Sequence, residues 1–121
     1  MKTCLIVDDS RVIRMVARKI LEDLGFAVSE AENGAEALEL CRKQLPDGVL
    51  LDWKMPVMDG LEFLAALRQL PGSTDTAVIF CTTENTLDHI KQAIAAGADE
   101  YIMKPFDSEI IHSKFTQVGL L

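Results

Sequence analysis

Five residues of this chain could together hold a phosphoryl group beside a divalent cation: Asp8, Asp9, Asp52, Thr82 and Lys104. Each follows a short apolar run. Cys4-Leu5-Ile6-Val7 leads into Asp8-Asp9, Val49-Leu50-Leu51 into Asp52, Ala77-Val78-Ile79-Phe80-Cys81 into Thr82-Thr83, and Tyr101-Ile102-Met103 into Lys104-Pro105. Carboxylates crowded together repel one another, and something must offset that cost. Mg²⁺ does so with one or two carboxylates, waters and a substrate phosphate. Asp52 would be the nucleophile, a carboxylate able to become an aspartyl phosphate. Thr82 can bond an equatorial phosphoryl oxygen, while Lys104 can pair with the acids before reaction and with phosphoryl oxygens after it. Charge on those oxygens is what a phosphoryl-transfer site must stabilise. Singly, each residue also has a plain reading: acids and Ser10 favouring a helix N-terminus, a β-branched strand threonine, a solvated lysine.

Such residues meet only if the apolar runs lie side by side. Runs of this length read as strands buried on both faces. Between them lie helical patterns. Val12, Ile13, Val16, Ile20, Leu21 and Leu24 recur at helical spacing up to Gly25, and Phe26 to Ala31 reads as a second strand. Asn33-Gly34 turns the chain into a helix bearing Ala37, Leu38, Leu40 and Cys41 that stops before Pro46. Gly48 to Asp52 is the third strand, and a loop with Pro56 and Asp59-Gly60 precedes a helix carrying Leu61, Phe63, Leu64 and Leu67. Gly60 is expected to serve the turn. A fourth strand runs to Thr82, and a fourth helix bears Leu87, Ile90, Ala93 and Ile94 as far as Gly97. A fifth strand covers Asp99 to Met103, and Asp107 caps a helix with Ile110, Ile111 and Phe115. Alternation of this kind implies an α/β fold, a parallel sheet covered by helices on both faces. Ligands of such sheets bind at the carboxyl ends of the strands.

Composition narrows the class. The 121 residues are one domain's worth, and 49% hydrophobic with 26% charged residues suits a well-cored globule. A net charge of −7 disfavours nucleic acid as the main partner. Cys4, Cys41 and Cys81 are widely spaced and sit on apolar positions, so they read as inert buried thiols of a reducing, cytoplasmic compartment. No apolar run approaches membrane-spanning length, and the strand after Met1-Lys2-Thr3 leaves no room for a signal peptide. Residues 1–121 are expected to form one domain without an effector domain.

Taken in order, Val7-Asp8-Asp9-Ser10, Leu51-Asp52-Trp53-Lys54-Met55-Pro56-Val57-Met58-Asp59-Gly60, Thr82-Thr83-Glu84, Gly97-Ala98-Asp99-Glu100-Tyr101 and Lys104-Pro105-Phe106 resemble the receiver domain of bacterial two-component response regulators. The single-domain, chemotaxis-type regulators are the nearest likeness. The resemblance implies a doubly wound flavodoxin-like fold, five parallel strands in the order 2-1-3-4-5 with five helices. It implies that Asp52 accepts a phosphoryl group from a histidine kinase or histidine phosphotransfer protein. Asp9, Asp52 and the backbone carbonyl of Lys54 would ligate Mg²⁺, with Asp8 acting largely through water. Thr82 and Tyr101 would form the switch, altering the face made by the fourth helix, fifth strand and fifth helix. Lys104-Pro105 would be a cis peptide that aims the ammonium inward.

Two positions depart from the family pattern. The first is Lys54, expected to pair with Glu84 over the pocket and shield the phosphoryl group from water; the second is Thr83, whose branched side chain is of a size to narrow access for small phosphodonors, with the outcome left open. Ser10, Arg11, Val12 and Arg14, with Pro105-Phe106, resemble the surface that docks a phosphodonor's helices. His89, Ile90, Lys91, Tyr101, His112 and Lys114 would lie on or near the output face, both histidines solvated. The chain is expected to be a monomer, with dimerisation on phosphorylation left open, and to serve chemotaxis, a phosphorelay or stress signalling rather than act as an enzyme. Two rivals are weaker. A haloacid-dehalogenase-type phosphatase needs an acid two residues after the nucleophile, where this chain has Lys54. A pseudo-receiver interaction module would not need the full set of Asp8, Asp9, Asp52, Thr82 and Lys104.

Overall fold

Side chains alternate along the inner strands and sort into two cores. The structure, a computed structural model, describes residues 1–83 and 86–121. Strands β1 (Thr3–Val7), β2 (Ala27–Ala31), β3 (Gly48–Leu51), β4 (Ala77–Thr82) and β5 (Glu100–Met103) alternate with helices α1 (Arg11–Asp23), α2 (Gly34–Lys43), α3 (Gly60–Leu67), α4 (Leu87–Ala95) and α5 (Ser108–Gln117). Leu5, Val7, Val49, Leu51, Val78, Phe80 and Tyr101 pack with α2, α3 and Ala93 of α4. Cys4, Ile6, Leu50, Ile79, Cys81 and Ile102 face the other way, onto α1 and α5. Burying one such side chain contributes roughly 1.5–3 kcal/mol, and Phe63, Phe80 and Phe115 are fully enclosed.

The five strands are parallel, in the order β2-β1-β3-β4-β5, the doubly wound flavodoxin-like arrangement. Their carboxyl ends are laced together beyond the ladders. Asp52 N–H donates to the Val7 carbonyl at 2.8 Å, Asp8 N–H to Ala31 at 3.1 Å, and Lys104 N–H to Thr82 at 2.9 Å. The residues expected to do chemistry therefore sit in register along one edge.

Five helices start on a side-chain cap: Ser10, Asn33, Asp59, Thr86 and Asp107 each accept a backbone N–H of the first turn. Each cap is worth on the order of 1 kcal/mol. Asp59 and Glu62 complete a reciprocal capping box at the helix that follows the Asp52 loop.

The structure departs from the periodicity at strand edges. β2 begins at Ala27, because Phe26 turns into the core and meets Phe115 edge to face, ring centroids 5.4 Å apart. β3 stops at Leu51 and leaves Asp52 just past its end. Asp99 is outside β5, since its carboxylate accepts the Val78 N–H at 2.8 Å. A 3-10 turn at Ser73–Asp75 had no signature in the apolar pattern.

Candidate functional site

Asp8 is buried at the end of β1 and held from three sides. Besides the bond from its N–H to Ala31, its Oδ1 accepts the Ser10 N–H at 2.9 Å and its Oδ2 accepts Lys104 Nζ at 2.7 Å. Asp52 is buried too, and its Oδ1 accepts the same Nζ at 3.1 Å. Asp9 is exposed. One carboxylate oxygen from each of Asp8, Asp9 and Asp52 lies within 4.8 Å of the others.

The electrostatics of this cluster are unbalanced. Burial, and then the neighbouring charge of Asp8, push the Asp52 carboxyl up to about 6, against the pull of Lys104 and the Trp53 N–H. Burial works against the Lys104 charge, but Asp8 and Asp52 outweigh it and raise its pKa. One ammonium therefore serves two buried carboxylates, with a third acid beside them. Hard oxygen donors carrying surplus negative charge are the donor set a Mg²⁺ ion takes, so the residues fit it.

Thr82 ends β4 and is buried, and its carbonyl holds the Lys104 N–H. Thr83 follows it, exposed. Tyr101 is buried in register with Phe80, within the core that also contains Trp53. Lys104-Pro105 is cis. Lys54 is exposed two residues beyond Asp52, while Glu84 lies outside the described residues.

Gly60 has a different task from the turn expected of it. It is the first residue of α3, and its N–H donates to the Trp53 carbonyl at 2.8 Å. A Cβ there would lie 2.3 Å from the Asp52 carbonyl oxygen and 2.8 Å from the Phe80 ring. Close backbone approach, not turn geometry, requires the glycine.

Arg14 is another correction. It does not join the docking surface but is buried, with Nη1 donating to the Asp8 carbonyl at 2.7 Å and Nε to Glu30 at 3.0 Å. Of the expected docking residues, Arg11, Val12 and Pro105 are exposed, and Ser10 and Phe106 are half-buried. On the output side Lys91 and His112 are exposed, Ile90 is half-buried, and Lys114 pairs with Glu100 at 3.3 Å. His89 is not a solvated histidine. Half-buried, it meets the Trp53 ring edge on at 5.1 Å and shares a hydrogen bond between Nδ1 and the Thr86 hydroxyl. Its spacing from Trp53 in the chain gave no hint of this.

Residues 4–116 match the family model of the response regulator receiver domain. The chain is 37% identical over 117 residues to the chemotaxis protein CheY of Halobacterium salinarum, covering 97% of this chain and 96% of that one. Among solved structures, CheY4 of Vibrio cholerae superimposes with a TM-score of 0.93 at 35% identity, over 98% of each chain. A CheY from Borrelia burgdorferi, solved in complex with CheX, BeF₃ and Mg²⁺, superimposes with a TM-score of 0.91 at 28% identity, over 97% of this chain and 88% of that one. With the acids, the hydroxyl and the ammonium gathered at the strand ends of a 2-1-3-4-5 sheet, this chain belongs to the receiver-domain family of two-component response regulators, in its CheY-like form.

Proposed function

We propose that Asp52 is the phosphoryl acceptor of a stand-alone signalling switch. The observation that carries this reading is the Lys104 ammonium shared by Asp8 and Asp52 with the Asp9 carboxylate alongside. An Asp52 carboxylate oxygen attacks phosphorus and forms an O–P bond as the bond from phosphorus to the donor's histidine nitrogen breaks. That nitrogen keeps the electron pair and takes up a proton. Asp9, Asp52 and the Lys54 carbonyl would hold Mg²⁺, with Asp8 acting through water, and the ion would supply charge stabilisation to the phosphoryl oxygens. Lys104 moves from the acids to a phosphoryl oxygen, and the Thr82 hydroxyl takes another.

The Thr82–Tyr101 pair then reports the reaction. Thr82 ends the strand whose Phe80 is in register with Tyr101, so a shift of Thr82 toward the phosphoryl group changes what Tyr101 packs against. The surface so altered is that of α4, β5 and α5, where a downstream protein binds. The donor, a histidine kinase or phosphotransfer protein, docks a helix on the exposed Arg11 and Val12 of α1 beside Pro105-Phe106. Lys54, Thr83 and Glu84 set how long the phosphoryl group survives. The buried cysteines, their thiols pushed up to about 12 for Cys4 and Cys81 and about 11 for Cys41, suit a cytoplasmic setting. Among the described residues no helix is long and apolar enough to cross a membrane.

Incubation with Mg²⁺ and an acyl phosphate, followed by peptide mapping, tests the reading. A single base-labile phosphoryl group on Asp52 supports it. Catalytic release of phosphate from many esters, or no label at all, contradicts it.

A further inference from the structure

We infer that Arg14 is a positioning residue for the cation site: its guanidinium sets the Asp8–Asp9 peptide and so aims the Asp9 carboxylate. This rests on the reading of Asp8, Asp9 and Asp52 given above. The carbonyl that Arg14 Nη1 holds at 2.7 Å belongs to the peptide whose N–H is that of Asp9. A peptide unit is planar, so fixing its C=O direction also fixes where the Asp9 Cα begins.

Asp9 needs this help more than its neighbours do. Asp8 and Asp52 are buried and take side-chain hydrogen bonds from Lys104. Asp9 is exposed, and among the described residues no hydrogen bond or ion pair holds its carboxylate. Its aim comes from the backbone alone.

Arg14 is itself held rigidly. Its Nε donates to Glu30 Oε1 at 3.0 Å, its Nη2 lies 3.9 Å from Glu32 Oε1, and the other Glu30 oxygen accepts Arg18 Nε at 2.6 Å. Glu30 is on β2, in register with Ile6 of β1. The planar fork thus ties the edge strand to the peptide between the two acids, a tie that a lysine's single ammonium keeps only in part. Groups one step removed from a metal's ligands typically govern its affinity 10- to 100-fold.

Arg14→Met, Arg14→Lys and Arg18→Met test this. Arg18 shares Glu30 but makes no bond to Asp8, so it controls for a merely structural clamp. Two quantities are read: Mg²⁺ affinity from the fluorescence of Trp53, the single tryptophan, and the Asp9 amide chemical shift in cation-free protein. Arg14→Met should weaken Mg²⁺ binding about tenfold, Arg14→Lys less, and both should move the Asp9 amide. Arg18→Met should leave affinity within about twofold of wild type, on the same expectation. Wild-type affinity and an unmoved Asp9 amide in the Arg14 variants, or an equal loss in Arg18→Met, overturns the assignment. If Arg14→Met does not fold, the same two quantities measured on Arg14→Lys decide between these outcomes. A wild-type protein that binds no Mg²⁺ would instead refute the cation site, and the Asp9 amide would still report on Arg14.

Discussion

Gly60 lies so close to Asp52 that a methyl group on it would sit 2.3 Å from the Asp52 carbonyl oxygen. That contact lets the Gly60 N–H reach the Trp53 carbonyl at 2.8 Å, locking the start of α3 to the residue after Asp52. Gly60→Ala must push the Asp52–Trp53 backbone, not a pliable side chain. Urea denaturation should show a loss of about 2–3 kcal/mol, at the upper end of overpacking costs. Phosphorylation of Asp52 should slow with it. An unchanged midpoint would show that the approach is looser than the geometry implies.

Asp52 should make the cation-free protein less stable as pH rises. Its carboxyl is pushed from 3.8 up to about 6, first by burial and then by Asp8, so between those values the native state binds more protons than the unfolded one. Stability from this group is complete below the unfolded value and lost as pH passes through about 6. Asp52→Asn removes the cost and should stabilise the cation-free protein at pH 7–8 by on the order of 2 kcal/mol. Protons compete with the cation for the same carboxylate, so Mg²⁺ affinity should fall as pH drops through about 6. Calorimetry across pH, with and without Mg²⁺, checks both signs.

Arg68 does for the opposite edge of the sheet what Lys104 does for this one. Its guanidinium donates to the carbonyls of Ser73, Thr76 and Gly97 and pairs with Asp99 at 3.2 Å. Arg68→Ala strands those acceptors and should cost about 3 kcal/mol, while Mg²⁺ affinity stays that of wild type. A fall in affinity would mean that the two edges are coupled.

Lys54 stands exposed two residues after Asp52, and the proposal that it shields a phosphoryl group there is tested kinetically. Stability should barely respond to Lys54→Ala, since exposed ion pairs are worth about 0–1 kcal/mol. Phosphate loss from Asp52 should accelerate. An unaltered rate would remove Lys54 from the control of lifetime.

Much of this arrangement was legible in the chain because apolar runs ending on Asp8, Asp52, Thr82 and Lys104 announce strand ends. Periodicity alone did not order the strands; the 2-1-3-4-5 order came with the family resemblance. The family resemblance groups Arg14 with Ser10, Arg11 and Val12 on the docking surface, and the structure takes it away from them. What buries it are Glu30 on β2 and a backbone carbonyl, partners that no local pattern reveals. Gly60 looked like a turn residue because its close approach to Asp52 exists only once α3 packs against β3 and β4. Val57 holds a φ of 70° with a β-branched side chain, a position where glycine or asparagine is the expected sign. His89 on α4 meets Trp53 in the loop after β3, a contact between segments 36 positions apart that no local pattern reveals.

The central claim is that Asp52 takes a phosphoryl group with the help of Mg²⁺, and intact-mass measurement after exposure to an acyl phosphate tests it most directly. One phosphoryl group should add to the wild-type chain only when Mg²⁺ is present, and none to Asp52→Asn. Equal labelling of Asp52→Asn, or labelling unaffected by a chelator, would contradict it.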